Sequence, residues 1–493
     1  MNAPLVVFRA DAGGGHGSGH VRRGRALAAV FRNAGWRTAF ATDEASIETV
    51  AELGDGSETV AFVDGAASPQ QQAEELGQAW PSGIDLLVSD HYGLDATFER
   101  AARRTARRIA AIDDLADRPR DADVLFDSAL GREEADYSAL VPGTCRVLTG
   151  PSYALLGTAF LAARSETDRP EPGAHFRRVH VGLGGVEPGP VLERIVAGLA
   201  ESGVVEAIEV VLGMEGPVAE RLRATSFAVP VEIAVNVRDM ATRLARADLA
   251  VGAGGSSAWE RCALGLPTLM VTAYDNQRQV AAGLAQAGAV VPLGWHEDVT
   301  AATVADAVRR LAADPASVTE LARRSLALCD GRGAERTWLA VDHEHCAAGR
   351  VTLRLAESAD MGLLYDWQSA PETRRFAKQG TTPTQTEHET WFNRRQTDPA
   401  SLICVIACDG QPRGCLRLDR IGESRERLVS IYLAPGAWGQ GIATAALDLA
   451  RRLAPGWRFV AEVLPENDAS HRLFRRAGYR EEQPGTYVRE AAA

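Results

Sequence analysis

The sequence has almost no lysine and no closely spaced cysteines, and both shortages narrow the possible functions. Lys378 is the only lysine among 493 residues. A P-loop lysine, a Schiff-base lysine and a pyridoxal-phosphate lysine are therefore excluded from the first 350 residues. The seven cysteines form no C-x-x-C pair. Their odd, scattered distribution argues against a disulfide scaffold or a zinc ribbon and indicates a reducing cytoplasm.

Long apolar runs and excess positive charge are also missing. No stretch of about 18 apolar residues occurs, so we expect no membrane span, and the apolar N-terminal segment is interpreted as a core strand and not a signal peptide. The formal net charge is −12. Because nucleic acids are bound through a basic face, this balance argues against a nucleic-acid partner. Residues 351–493 carry a net +1, and the remainder −13, which indicates a domain boundary near residue 350.

Short apolar runs alternate with amphipathic segments over the first 340 residues, which predicts α/β layers with parallel sheets. The predicted strands are Leu5–Phe8, Leu86–Val88, Arg108–Ile112, His180–Leu183, Ile208–Leu212 and Leu249–Val251, and the predicted helices are Arg22–Asn33, Gln70–Ala79, Pro190–Glu201 and Ser256–Leu264. A polar, proline-rich stretch, Ser165–Gly173, predicts a hinge between two Rossmann-like lobes. The expected domains are residues 1–165, 166–342, a linker at 343–350, and a mixed α/β domain at 351–493.

A glycine-rich loop follows the first predicted strand. Five glycines occur within residues 13–19, and His20 follows at the start of a helix. Such a loop lets a ligand approach the backbone, and the helix start favours an anion. The spacing is not that of a dinucleotide fingerprint. A histidine at this position suits a general base at neutral pH, although a helix-capping role remains an equal alternative.

Two further segments carry candidate ligand-binding residues in this half of the chain. Asp90, His91 and Tyr92 follow a predicted strand, where they contact a sugar, orient a water or form a buried turn. Gly252–Ser257 precedes another predicted helix, so it forms a candidate diphosphate cradle of backbone donors. Glu260 lies in the first turn of that helix, where a plain capping role is the alternative.

These motifs occur in the order found in the UDP-sugar hydrolases of the pseudaminic acid pathway, which the first 340 residues resemble. They are Arg9–Asp11, Gly17–Arg22, Asp90–Gly93, Asp113–Asp114, Gly150–Leu155, Gly184–Gly185 and Asn276–Gln277. The resemblance implies a GT-B arrangement of the two lobes and release of UDP from UDP-2,4-diacetamido-2,4,6-trideoxy-β-L-altropyranose. It implies His20 as the base, Tyr92, Asp11 and His91 as further catalytic residues, and no metal. The implied UDP-sugar site comprises Gly17, Gly19, Gly184, Gly185, Gly255, Ser256, Ser257, Glu260, Asn276 and Gln277.

Residues 351–489 resemble the GNAT N-acetyltransferases. A strand at Arg427–Leu433 leads into the Gly-x-Gly-x-Ala segment 439–443 and a helix, followed later by Asn467-x-x-Ser470 and Gly478-Tyr479. The resemblance implies acetyl-CoA as a substrate, bound by Ile431, Leu433, Gly439, Gln440, Gly441, Ile442, Ala443, Thr444, Asn467 and Ser470. Phe474 stands where many members carry a tyrosine that protonates the thiolate, so the general acid stays open.

The two resemblances together predict one cytoplasmic chain that acetylates an amino sugar and then hydrolyses the UDP-sugar with inversion. Two alternatives remain open at this point. One is a glycosyltransferase on the same fold, in which an acceptor replaces water. The other is a nucleotide-sugar binding module that serves the acetyltransferase.

Overall fold

A computed structural model describes residues 3–13, 17–56, 58–166, 173–184, 190–377, 381–398, 400–422, 424–454 and 456–491. The chain divides into two compact units. The first contains Met1–Ala29 with Arg37–Ala334, and the second contains Val30–Trp36 with Glu335–Ala493. Over the described ranges, none of the helices has the length and apolar character that crossing a membrane requires.

The first sheet is parallel and has the strand order β3-β2-β1-β4-β5-β6-β7 among the described residues. Its strands are β1 (Leu5–Arg9), β2 (Arg37–Thr42), β3 (Thr59–Phe62), β4 (Leu86–Ser89), β5 (Ile109–Ile112), β6 (Val124–Asp127) and β7 (Arg146–Thr149). The helices are α1 (Gly19–Asn33), α2 (Ala45–Thr49), α3 (Pro69–Ala79), α4 (Ala96–Ala102) and α5 (Thr158–Glu166). Every residue of β1, β4 and β5 is buried, as expected for parallel strands covered on both faces.

The second sheet is also parallel and has the order β10-β9-β8-β11-β12-β13 over the described segments. Its strands are β8 (Val179–Gly182), β9 (Ile208–Leu212), β10 (Val231–Val235), β11 (Leu249–Ala253), β12 (Thr268–Thr272) and β13 (Val291–Trp295). The helices are α6 (Val191–Glu201), α7 (Pro217–Ala224), α8 (Met240–Arg246), α9 (Ser257–Ala263), α10 (Arg278–Gln286), α11 (Ala301–Ala313), α12 (Pro315–Leu328) and α13 (Gly333–Val341).

The third sheet is mixed and has the order β14-β15-β16-β17-β18-β19-β21-β20 in the described part of the chain. Its strands are β14 (Glu344–Cys346), β15 (Gly349–Leu355), β16 (Ser401–Cys408), β17 (Gln411–Arg420), β18 (Glu426–Leu433), β19 (Arg458–Glu462), β20 (Arg480–Gln483) and β21 (Thr486–Arg489). The helices are α14 (Met361–Ser369), α15 (Pro371–Arg374), α16 (Gln385–Thr397), α17 (Ile442–Leu453) and α18 (Asp468–Arg476). Among the described strands of this sheet, only β18 and β19 pair in parallel, and the other neighbours are antiparallel.

The predicted fold class, two Rossmann-like parallel lobes followed by a mixed α/β domain, is confirmed. The segment expected to be a linker, 343–350, instead carries a hairpin, because β14 pairs with the start of β15. The short polar stretch contained no signal for that pairing. Most of the predicted hinge, residues 167–172, lies outside the described residues. The domain boundaries stay predictions.

Candidate functional sites

The first candidate site lies at the point where the strand order of the first sheet reverses. Strands β1 and β4 are neighbours there, although β2 and β3 follow β1 on its other side. In open α/β sheets, ligands bind at such a reversal, outside the carboxyl ends of the strands. The chain leaving β1 runs to His20, and the chain leaving β4 carries Asp90 and Tyr92.

His20 and Asp90 form a buried hydrogen-bonded pair at this edge. His20 Nδ1 lies 2.6 Å from Asp90 Oδ1, and the two side chains are almost fully enclosed. A carboxylate only accepts, so Nδ1 carries the proton, and in a neutral imidazole ring the lone pair is then on Nε2. Nε2 has no hydrogen-bond partner among the residues that the structure describes. The pair therefore presents one basic nitrogen, oriented by a carboxylate, which is the arrangement of a general base.

Arg23 fixes Asp90 in its charged form. Its Nε and Nη2 donate to the two carboxylate oxygens, each at 2.6 Å. Burial alone would raise the pKa of Asp90, but the charge of Arg23 and the contact with His20 outweigh it and hold that pKa well below its usual range. Asp90 therefore stays an acceptor for His20 throughout the neutral range.

Tyr92 connects this pair to the second sheet. Its ring packs edge-on against His20, with 4.5 Å between centroids. Its hydroxyl donates to Asp114 Oδ2 at 3.1 Å and accepts from Asn276 Nδ2 at 3.3 Å. Arg23 Nη1 also donates to Asp114 Oδ2. Burial, then the charge of Asp114, raises the pKa of Tyr92 far above its ordinary value, so the hydroxyl stays protonated.

Asp11 and His91 lie beside this network but contact each other. Arg9 binds Asp11 through both terminal nitrogens, and Thr42 Oγ1 and the Asp43 N–H donate to Oδ1. The N–H of residue 93 donates to His91 Nδ1, so Nε2 carries the proton and donates to Asp11 Oδ2 at 3.1 Å. Both oxygens of Asp11 are thus engaged by donors of the protein. Their catalytic roles stay predictions, and their contacts are those of residues that hold the loop after β1.

The second candidate site lies at the equivalent reversal of the second sheet, between β8 and β11. Gly184 follows β8 with a φ of 103°, and Gly185 lies outside the described residues. The loop Gly252–Ser257 begins with the last two residues of β11 and ends at the first residue of α9. Among the described residues, the N–H groups of 254–257 have no intramolecular acceptor. Such a row of unpaired N–H groups is a cradle for an anion.

The candidate sites of the first and the second sheet lie close together. A Cβ built on Gly19, the residue before His20, would stand 3.3 Å from Ser256 Oγ. Gly17 has a φ of 68°, which favours glycine. Ser256 occupies the N-cap position of α9 without a side-chain capping bond, so its hydroxyl is not used by the helix. The predicted base and the predicted anion cradle are therefore neighbours.

Gln277 and Glu260 border the cradle. Gln277 Oε1 accepts from the Ala273 N–H at 3.0 Å, and its Nε2 lies 3.6 Å from a Cβ built on Gly255. Glu260 is half-buried, and burial raises its pKa despite the charges of Arg22 and Arg261. Asn276 is exposed and bonds to Tyr92, as described above.

The third candidate site lies in the mixed sheet. Strand β18 pairs with β19 only over Glu426–Leu428. Ile431 and Leu433 lie beyond that pairing, so in the described part of the chain their β19-side backbone has no strand partner. The two strands separate there and leave peptide groups available to a ligand that lies along β18.

The loop after β18 ends in a glycine that packs tightly. Gly439 and Gly441 have φ angles of 77° and 84°, and Gly441 is the N-cap of α17. A Cβ on Gly441 would stand 3.2 Å from Cys346 Cβ. Gln440 donates from Nε2 to the carbonyl of residue 436. Ile442, Ala443 and Thr444 form the first turn of α17, whose free N–H groups suit a phosphate.

Asn467 and Ser470 form a helix cap. The Asn467 side chain accepts from the Ser470 N–H at 3.1 Å at the start of α18. Phe474 is buried and packs between the rings of Tyr479 and Tyr487. A phenylalanine at this place fills the core and supplies no proton.

Sequence reasoning missed two charged side chains, Arg23 and Arg261, and the pairing of two others. Asp90 and Asp114 belong to motifs that were recognised, but Arg23, which binds both, lies 67 and 91 residues away from them. Arg261 was missed because a helical arginine is usually exposed; its side chain here is 3% exposed. The available signal was Gly252, where a Cβ would stand 2.5 Å from Arg261 Nη1.

Comparisons with known proteins agree with this division of the chain. The N-terminal region is similar to the spore coat polysaccharide biosynthesis protein SpsG of Bacillus subtilis, with 28% identity over 199 residues. It is also similar to the UDP-2,4-diacetamido-2,4,6-trideoxy-β-L-altropyranose hydrolase of Campylobacter jejuni, with 26% identity over 162 residues. These matches cover 40% and 33% of this chain, and 58% and 55% of the two relatives. The chain thus spans little more than half the length of the curated relatives it matches.

A solved structure and a family model complete the comparison. The crystal structure of MurG from Acinetobacter baumannii is similar at 17% identity with a TM-score of 0.47, covering 68% of this chain and 98% of that one. Residues 350–480 match the family model of the acetyltransferase (GNAT) domain. The chain therefore carries a GNAT acetyltransferase domain that follows, in sequence, a two-sheet region homologous to SpsG and to the altropyranose hydrolase.

Proposed function

We propose that this chain is a bifunctional nucleotide-sugar enzyme. The two-sheet region hydrolyses a UDP-sugar of the 2,4-diacetamido-2,4,6-trideoxy-β-L-altropyranose type, and the GNAT domain transfers an acetyl group from acetyl-CoA to an amino sugar. The similarity of the first region to the altropyranose hydrolase and the match of residues 350–480 to the GNAT domain support the assignment. The observation that carries it is the hydrogen-bonded His20–Asp90 pair, because Gly19, the residue before His20, lies close to Ser256 of the segment Gly252–Ser257.

Hydrolysis needs a base, a positioned water and donors for the departing diphosphate. In the proposed step, His20 Nε2 takes a proton from water as the oxygen attacks the anomeric carbon. The bond between that carbon and the UDP oxygen breaks, and the configuration inverts. Asp90 stabilises the imidazolium that forms, and a base of this kind contributes about 10²- to 10⁴-fold to the rate. We assign Asn276 and Tyr92, which hydrogen-bond to each other, to contacts with the sugar.

The leaving diphosphate is received by backbone donors. The N–H groups of 254–257 and the adjacent Ser256 hydroxyl provide them without a lysine. Glu260 is assigned to the ribose hydroxyls. UDP leaves well at neutral pH, so no general acid is required. Asp11 and His91 are assigned to positioning the loop after β1, since their polar atoms are used within the protein.

Acetyl transfer is assigned to the groove between β18 and β19. Acetyl-CoA would place its pantetheine along Ile431–Leu433 and its pyrophosphate on the loop 439–444. The acceptor amine attacks the thioester carbonyl, the C–S bond breaks, and CoA leaves as the thiol after protonation. We propose that the acceptor is the 4-amino group of the UDP-sugar, so that acetylation precedes hydrolysis.

The full chain, incubated with the 4-amino UDP-sugar with and without acetyl-CoA, tests both activities. Mass spectrometry should detect the acetylated sugar only with acetyl-CoA, and free UDP in larger amount after acetylation. In H₂¹⁸O, the label should appear in the sugar. Label in UDP would contradict attack at the anomeric carbon. UDP release that depends on an added acceptor would indicate a glycosyltransferase, and tight binding without release would indicate a binding module.

A further inference from the structure

Arg261 is a buried cation without a carboxylate partner. It lies on α9, directly behind the loop Gly252–Ser257, and its side chain is 3% exposed. Among the described residues, no Asp or Glu oxygen lies within ion-pair distance of its guanidinium. Its Nε is also buried without a hydrogen-bond partner. An isolated buried charge is costly, so proteins normally pair it.

Among the described residues, none of the neighbouring titratable groups forms an ion pair with Arg261, although Glu260 and Cys262 act on it through their charge. Burial lowers the pKa of His180 on β8, which keeps it neutral. Burial raises the pKa of Cys262 to about 11 and raises that of Glu260. Glu209, the buried acid on β9, is engaged by His180 and Arg243. Burial lowers the pKa of Arg261 itself to about 10, which still leaves it charged at neutral pH.

The guanidinium orients the cradle. Its Nη2 donates to the Ala253 carbonyl at 2.6 Å, and its Nη1 donates to Ser257 Oγ at 3.1 Å. In a trans peptide the carbonyl and the following N–H point in opposite directions. Drawing the Ala253 carbonyl towards Arg261 therefore turns the Gly254 N–H away from it, to the side of the loop where a ligand lies. Gly252 makes room for the guanidinium, because any Cβ there would overlap it.

We propose that Arg261 is a positioning residue that makes the loop Gly252–Ser257 selective for a nucleoside diphosphate over a monophosphate or a nucleoside. The charge that the protein leaves unpaired is compensated by the ligand's diphosphate, across one layer of backbone. This inference rests on the proposed function, since it takes the loop as the diphosphate site.

Isothermal titration of the full chain with UDP, UMP and uridine tests the inference. Arg261→Met should lower the affinity for UDP by about 10- to 100-fold, for UMP by less and for uridine hardly at all, because only the charge interaction is lost. Arg164→Met is the matched control. Arg164 donates to the Ala263 carbonyl at the other end of α9, so its loss should lower the melting temperature and leave the UDP-to-uridine ratio unchanged.

Arg261→Lys keeps the inference testable if the methionine variant unfolds. A buried lysine loses its proton more readily than arginine. The preference for UDP should be partly restored at pH 7 and lost as the pH rises to 9.5, which a merely structural role would not produce. An unchanged UDP-to-uridine ratio in both Arg261 variants would overturn the inference. Failure of the unsubstituted chain to prefer UDP would overturn the proposed function and the inference with it.

Discussion

The two halves of the first unit form their candidate ligand sites from different chemical groups. The half around β1 and β4 uses side chains: His20, Asp90, Arg23, Tyr92 and Asp114 form one hydrogen-bonded network. The half around β8 and β11 uses mainly backbone N–H groups, with one buried arginine behind them. Side chains can move protons, whereas backbone donors can only bind. We therefore assign proton transfer to the first half and nucleotide binding to the second.

His20→Ala should give the largest effect in the first half. Removing the base should lower kcat for UDP release by about 10²- to 10⁴-fold. The dissociation constant for UDP should hardly change, because the proposed UDP site lies in the other half. Steady-state kinetics and UDP titration measure the two quantities. His175→Ala, an exposed histidine, is the control and should leave both unchanged. Full turnover by the His20 variant would remove the assignment of chemistry to this half.

Asp90→Asn should lower kcat by about 10- to 100-fold, because the amide can donate to His20 Nδ1 and so favours the tautomer protonated at Nε2. Arg23 also loses one of its two charged partners, so the melting temperature should fall. Asp306→Asn removes an exposed carboxylate from α11 and is the matched control. A lower melting temperature with normal kcat would make Asp90 a structural residue only.

The sequence predicted what depends on local pattern and missed what depends on long-range pairing. Buried strands such as Ile208–Leu212 were placed to the residue, because parallel strands read as continuous apolar runs. The glycine loops were also recognised, since backbone sites need glycine at fixed positions. The partners of His20 were not, because Asp90 lies 70 residues away and only the strand order brings it close. The β14 hairpin was missed for a different reason: its pairing is local, but Glu344–Cys346 is only three residues long and has no apolar alternation.

Gly252→Ala tests the second half. The added Cβ would stand 2.5 Å from Arg261 Nη1 and must displace the guanidinium. We expect the KM for the UDP-sugar to rise about 10-fold, with kcat changed much less, because uniform binding is lost and not chemistry. Gly143→Ala is the control, since a Cβ there would meet no described atom within 4 Å. A fall in kcat at unchanged KM would contradict the division between the halves.

Gly441→Ala extends the comparison to the GNAT domain, whose proposed acetyl-CoA site is also formed by backbone N–H groups. The φ of 84° and the 3.2 Å approach to Cys346 Cβ both oppose a side chain. The KM for acetyl-CoA should rise about 10-fold, and UDP release from the acetylated sugar should not change. Gly436→Ala has a similar φ of 83° but no close neighbour among described atoms, so it isolates backbone strain from the overlap. Equal effects of the two substitutions would assign the loss to strain alone.

Tyr92→Phe should give the smallest effect, because it removes one hydroxyl and keeps the ring against His20. That hydroxyl bridges Asp114 in the first half and Asn276 in the second. Its loss should raise the KM for the UDP-sugar about 3- to 10-fold and leave UDP binding unchanged, since only the two hydrogen bonds of this hydroxyl are removed. Tyr365→Phe, which removes a hydroxyl bonded to the Pro383 carbonyl in the GNAT domain, is the matched control. An unchanged KM in the Tyr92 variant would make the bridge a packing contact and leave sugar selection to Asn276 alone.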